Sequence, residues 1–214
     1  RTANAKAWTF TIIGNFDEAT IRPLICQYIG SLPSEGKIVA SKREVKPVTG
    51  VVENIFKRKQ ETPKSTAYMM WHNENMPYNT KNALCASIAG QILSMEYLDK
   101  IREKESAAYS VGANGGCSVG KDNYRMFQIF AYCPMKPEKK DVAMRIMNDE
   151  VKNLANTCDP AKLDKCKEYM IKSYHDSQKS NSYWLSIINQ YHNLGLDQYT
   201  DYLKTLESLT PQDI

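Results

Sequence analysis

Histidine is scarce: His72, His175 and His192 are the only three in 214 residues. They stand far apart, and neither HExxH nor the reversed HxxEH helix occurs, so this chain is not expected to build a mononuclear zinc site alone. The six cysteines, Cys26, Cys85, Cys117, Cys133, Cys158 and Cys166, include no CxxC pair. That excludes a zinc ribbon or a thioredoxin-type motif and leaves six free thiols, buried or half-buried, as the expectation. No apolar run approaches the roughly 20 residues needed to cross a bilayer, and the N-terminus lacks the order of a signal peptide. A soluble chain is expected, and the sequence does not choose between cytoplasm and periplasm. Charge of one sign is also missing: 28 basic against 24 acidic residues give a net +4, evenly spread. Neither nucleic acid nor an anionic membrane is predicted as a partner.

What is present is an ordinary globular composition, 42% hydrophobic and 24% charged, which excludes disorder and collagen-like repetition. Residues 7 to 13 alternate, with Trp8, Phe10 and Ile12 on one side, and predict a half-buried strand ended by Gly14-Asn15. Asp17 is the candidate N-cap of a helix carrying Ile21, Leu24, Ile25, Tyr28 and Ile29 on one face, with Pro23 making its start soft. Strand-like runs follow at 51 to 59 and 65 to 72. Leu84, Ile88, Ile92, Met95 and Leu98 then mark a helix from about Thr80 to Ile101, with Arg102 and Lys104 at its negative pole.

A short strand from Tyr109 to Ala113, a turn at Asn114-Gly115-Gly116 and a strand from Tyr124 to Tyr132 come next. From about Pro137 onward the pattern is helical, in segments 137 to 156, 160 to 178, 182 to 194 and 198 to 208. This order predicts a single α+β domain, residues 1–214, with an antiparallel sheet and helices packed on one face. Thr210-Pro211 reads as a helix N-cap followed by proline, and the chain starts at Arg1 just before a core strand. The expectation is a fragment of a longer protein, truncated at both ends.

Two motif matches fail on chemistry. Gly115 to Lys121 fits GxxxxGK, but Asp122 stands where a metal-binding hydroxyl is required and a strand follows instead of a helix. A hairpin turn is the expected reading there. His72-Asn73-Glu74 satisfies HxE, yet the PCxxC of the zinc deaminases is missing. No GxSxG elbow occurs, and spacing nominates no serine or cysteine nucleophile.

Several segments in order resemble the pitrilysin/insulinase family of zinc metallopeptidases, the inverzincins. They are Phe10 to Asp17 with Tyr28 to Pro33, then Arg102-Glu103-Lys104 through Tyr109-Ser110-Val111, then Asn181 to Leu185. The resemblance implies a parent of homologous α+β domains closing as two halves around peptides, with zinc held through HxxEH in a catalytic domain. Since that motif is absent, this chain is expected to be a non-catalytic partner domain, inactive alone and binding no cofactor. Its partners would be the peptide substrate and a sibling catalytic domain, on the same polypeptide or on another subunit. The implied substrate-binding residues are Arg102 and Tyr109. A guanidinium can donate to peptide carbonyls, and a phenol can hydrogen-bond a developing oxyanion. The alternative is a structural or assembly domain of an inactive family member.

Overall fold

The computed structural model describes residues 4–38, 45–120 and 122–214. The order is α1 (Glu18–Tyr28), β1 (Ser65–Asn73), α2 (Thr80–Tyr97), a π-helical extension (Leu98–Lys104), β2 (Gly112–Val119) and β3 (Arg125–Met135). Then follow a 3₁₀ turn (Pro137–Lys139), α3 (Lys140–Asn156), α4 (Pro160–Ser177), α5 (Asn181–Leu194), α6 (Tyr202–Ser208) and a last 3₁₀ turn (Pro211–Asp213). The fold is α+β, as expected. Its antiparallel sheet runs β1-β3-β2, with Ala67 opposite Cys133, Tyr68 opposite Tyr132 and Gly112 opposite Tyr132.

Caps set the helix starts. The Asp17 carboxylate accepts from the Thr20 N–H at 2.8 Å, Asn79 from Asn82 at 2.7 Å, and Asp159, just before Pro160, from Ala161 at 2.9 Å. Each satisfies one of the orphan donors of a first helical turn. At the far end the Thr210 N–H and hydroxyl both donate to Asp213, closing a capping box.

One sheet face is covered. Ala67, Ala113, Ala131 and Cys133 meet Leu93, Tyr97, Ile101 and Met147 in a core between the sheet, α2 and α3. A second core joins Leu84, Ile88 and Ile92 of α2 to Leu163, Cys166, Met170 and Leu206 of α4 and α6. Each fully buried Leu or Ile removes enough apolar surface from water to stabilise by about 1.5–3 kcal/mol.

Four expectations are corrected. The strand expected at residues 7 to 13 is extended chain outside the sheet, and its apolar side faces outward, with Trp8 49%, Phe10 44% and Ile12 43% exposed. Residues 51 to 59 likewise form no strand, and Val51, Ile55 and Phe56 are exposed. Outside α1, the described residues before Ser65 form neither helix nor strand. The third correction concerns Asn114-Gly115-Gly116, which is the middle of β2 and not a turn; the Tyr109 strand accordingly begins only at Gly112.

The reason is steric. A Cβ on Gly115 would lie 1.7 Å from the Ala86 carbonyl oxygen, and one on Gly90 would lie 2.1 Å from the Gly115 nitrogen. These glycines let the α2 backbone cross directly on β2, a use of glycine that local sequence cannot tell from a turn. The hairpin turn expected from Gly115 to Lys121 therefore shrinks to the residues after Val119, and Lys121 lies outside the described residues. The fourth correction is that helical structure runs past Ile101 to Lys104, so Arg102 sits within the last turn and not after it.

Candidate functional site

Arg102 is positioned by its neighbours. Ile101 is fully buried, and one turn earlier the Tyr97 hydroxyl donates to the Met147 carbonyl at 2.9 Å, tying the end of α2 to α3. Burial, with the Glu150 carboxylate nearby, pushes the Tyr97 phenol well above its ordinary range. An ionic cluster holds the flank: the Lys100 ammonium reaches Glu150 at 2.5 Å and Glu96 at 3.3 Å, and Lys162 also pairs with Glu96. Burial alone would raise the Glu96 carboxyl, but hydrogen bonds from Lys162 and Lys100 outweigh it and hold the group below its ordinary value.

The chain then reverses. Ser106 takes a left-handed φ of 48°, the Ala107 N–H donates back to the Ile101 carbonyl at 2.9 Å, and the Lys136 N–H donates to the Ala107 carbonyl at 3.0 Å. Ala107, Ala108 and Val111 are buried, so the link between helix and strand is clamped on its inner side. Tyr109, between them, is 87% exposed.

This reversal brings the two expected site residues together. The Arg102 guanidinium carbon lies 5.4 Å from the centroid of the Tyr109 ring, a cation–π contact at an exposed position. Nε of Arg102 also lies 3.3 Å from a Glu103 carboxylate oxygen. Among the described residues, no acceptor takes the terminal guanidinium nitrogens and no partner takes the Tyr109 hydroxyl. Both side chains have donors available to a ligand.

The adjacent sheet end adds a surface that sequence reasoning missed. On the face away from α2, Tyr68 contacts Tyr132 with ring centroids 5.0 Å apart and Phe130 at 5.9 Å, with Met70 beside them. Tyr68 is 67% and Met70 50% exposed, so this aromatic face is bare. Opposite Tyr132 and Phe130, β2 supplies only Gly112 and Asn114. Gly112, three residues after Tyr109, puts the pair and the aromatic face at the same sheet end, within about 10 Å of chain at 3.3 Å per residue. The alternating run from Tyr124 to Tyr132 was the available signal; only the register shows which of its rings stay uncovered.

Other candidates do not converge. His72 Nε2 lies 3.1 Å from the Val48 carbonyl, and its Nδ1 is buried without a partner among the described residues. Among the described residues there is no group of three His, Cys, Asp or Glu side chains able to hold a metal ion. All six cysteines are free, and burial pushes the thiols of Cys133 and Cys166 up to about 11, which disfavours the thiolate at neutral pH. Two concavities lie elsewhere: a groove of about 500 Å³ along α5 at Leu185 and Asn189, and a cavity of about 350 Å³ ringed by Tyr78, Tyr174, Tyr183 and Tyr202. Neither is lined by Arg102 or Tyr109. No helix among the described residues is long and apolar enough to cross a membrane.

Comparison with known proteins follows the same lines. Residues 4–170 match the family model described as the peptidase M16 inactive domain. The probable zinc protease PqqL of Escherichia coli K12 is 24% identical over 173 residues, covering 80% of this chain and 18% of PqqL. The crystal structure of that periplasmic protease superposes with a TM-score of 0.70 at 21% identity, over 94% of this chain and 22% of PqqL. A conserved protein from Enterococcus faecalis gives 0.69 at 17% identity, over 94% of this chain and 46% of its own. The ferredoxin protease FusC, solved in complex with Arabidopsis ferredoxin, gives 0.66 at 15% identity, over 94% of this chain and 22% of its own. The chain spans about a fifth of the length of PqqL.

Proposed function

Because this chain belongs to the peptidase M16 inactive-domain family, we propose that it forms one wall of the reaction chamber of a longer zinc endopeptidase and grips the substrate's main chain there. The observation that carries this reading is the exposed Arg102–Tyr109 contact at the end of a bare aromatic sheet face.

The chemistry follows from the donors. An extended peptide exposes carbonyl oxygens, and the planar guanidinium of Arg102 offers them several N–H groups in a fixed fork. The ring of Tyr109 under that guanidinium limits its rotamers, so less entropy is lost on binding. The Tyr109 hydroxyl is a neutral donor that can stabilise negative charge developing on the attacked carbonyl oxygen. Tyr68, Phe130 and Tyr132 offer apolar surface to side chains of the same peptide. A separate catalytic domain of the parent would hold zinc, whose chemistry there would be activation of a water. This chain holds the substrate, and among its described residues no His, Cys, Asp and Glu cluster could hold the metal.

The relatives support the reading without extending it to specificity. PqqL is named a probable zinc protease and FusC a ferredoxin protease. In the full-length parent, Arg102→Ala and Tyr109→Phe are expected to lower kcat/KM for peptide hydrolysis by about 100-fold each, the scale of losing one oxyanion donor, with folding unchanged. Unchanged turnover in both variants would overturn the substrate role and favour a purely structural domain.

A further inference from the structure

The cavity at the start of α2 lies apart from the Arg102–Tyr109 pair, since Arg102 stands about 30 Å further along the same helix and its extension. Its volume is about 350 Å³, and α2, α4, α5, α6 and the link before α6 all contribute to its wall. Tyr174 holds the aromatic part together. Its ring stacks on that of Tyr202 with centroids 4.6 Å apart and planes 8° from parallel, and it meets the Tyr183 ring edge-on at 6.2 Å. Tyr78 is fixed separately, by Gln198, whose Nε2 donates to its hydroxyl at 2.8 Å, and by the Phe127 ring at 6.5 Å. Rings braced in this way lose little freedom when a ligand enters between them. Tyr174, Tyr183, Gln198 and Tyr202 follow residue 170, where the family-model match ends, so the cavity draws on chain that the match does not cover.

Two properties of the wall choose the ligand. No Asp, Glu, Lys, Arg or His lines it, so a charged group entering would lose its water without gaining a counter-ion. Donor protons, by contrast, are in excess. The Tyr183 hydroxyl is buried without a hydrogen-bond partner among the described residues. The Tyr78 hydroxyl accepts from Gln198, and the Ser186 hydroxyl accepts from Gln190 at 3.1 Å; among the described residues no acceptor takes the proton of either. Burial, with Tyr174 beside it, pushes the Tyr183 phenol up to about 12, so that group stays a neutral donor. Aromatic walls with spare O–H donors suit a ring that carries an acceptor oxygen.

We propose that this cavity is a binding site for a small, uncharged aromatic carbonyl compound, of which benzamide is a simple case, with its ring among the tyrosines and its carbonyl oxygen accepting from the Tyr183 hydroxyl. The site goes beyond the chamber-wall reading and does not depend on it.

NMR titration of this chain with benzamide tests it. Saturable shifts of the Tyr174, Tyr183 and Tyr202 ring signals are expected, with a Kd on the order of 1 mM, the scale for so small a ligand. Benzoate, of the same size but charged, and cyclohexanecarboxamide, with the amide but no aromatic ring, should each bind about 10-fold more weakly or less. Tyr183→Phe keeps the ring and removes only the donor. It should weaken benzamide about 10-fold while leaving thermal stability unchanged or raised, because the hydroxyl has no partner among the described residues. Ser186→Phe, which fills the cavity from α5, should abolish the shifts; if that variant fails to fold, Tyr183→Phe still decides. No saturable shift at these rings, equal binding of benzoate, or undiminished binding to Tyr183→Phe would overturn the proposal. So would tighter binding of a neutral sugar such as maltose, which would make the tyrosines a sugar platform. Arg102→Ala is expected to leave benzamide binding unchanged, so failure of this site and failure of the substrate role are separately visible.

Discussion

The residues before Ser65 and those after it use similar side chains to opposite ends. In the body, Leu93, Ile101, Met147 and Leu206 are fully buried, and every strand is paired. In the arm, Trp8, Val51, Ile55 and Phe56 are as apolar and are 49% to 103% exposed. Apolar periodicity therefore records that a face needs cover, without recording who supplies it. In the body the cover is the chain itself; in the arm the described residues supply none.

Substitutions can break or sharpen this contrast. The largest effect is expected at the helix–sheet crossing: Gly115→Ala puts a Cβ 1.7 Å from the Ala86 carbonyl oxygen, so α2 must lift from β2. A loss of at least ~3 kcal/mol, read by chemical denaturation, is expected, at the top of the range for overpacking. Ile101→Ala, which empties a fully buried site beneath Arg102, should cost about 2–5 kcal/mol. Either result falling below 1 kcal/mol would place these residues with the arm and not with the body.

A smaller effect, about 1–2 kcal/mol at pH 7, is expected for Glu96→Gln, which weakens hydrogen bonds to Lys100 and Lys162. Its sign with pH is fixed. The folded carboxyl is held below its ordinary value, so its contribution is complete above that value and is lost as pH falls through the lowered one. The gap between wild type and variant should thus close on acidification from pH 6 toward pH 3, followed by thermal unfolding. A gap that widens would contradict the assignment. Asp213, held down at about 2 first by the Lys81 hydrogen bond, titrates in the same direction at the exposed C-terminal turn. The smallest effect belongs to the arm: Phe10→Ala in this chain alone should change stability by less than about 0.5 kcal/mol, as at other surface positions.

Much of the body was legible in the sequence because its signals are local. The spacing of Leu84, Ile88 and Ile92 and the aromatic run of β3 each name an element without knowledge of its neighbours, as the Asp17 cap does for α1 in the arm. Gly115 misled because a glycine needed for close backbone approach looks the same as one needed for a turn. Residues 7 to 13 misled differently. Their alternation was right and the side facing the protein was wrong: Thr11 bonds to Asn189 while Trp8 and Phe10 stay exposed among the described residues. Arg102 and Tyr109 were named by family resemblance, not by spacing, and their meeting depends on the reversal at Ser106. Tyr68, Phe130 and Tyr132 could be placed on one bare face only once the register of β1 with β3 was known.

The account stands on the Arg102–Tyr109 pair and the adjoining aromatic face being where a peptide main chain is held. NMR titration of this chain with an uncharged, unstructured peptide reads this directly. The account predicts that the Arg102 side-chain N–H and the ring signals of Tyr109, Tyr68 and Tyr132 shift together in a saturable manner, and that Arg102→Ala abolishes the shifts. Saturable shifts confined to the groove of α5 or the cavity at Tyr174 and Tyr183, with Arg102 and Tyr109 unmoved, would contradict it.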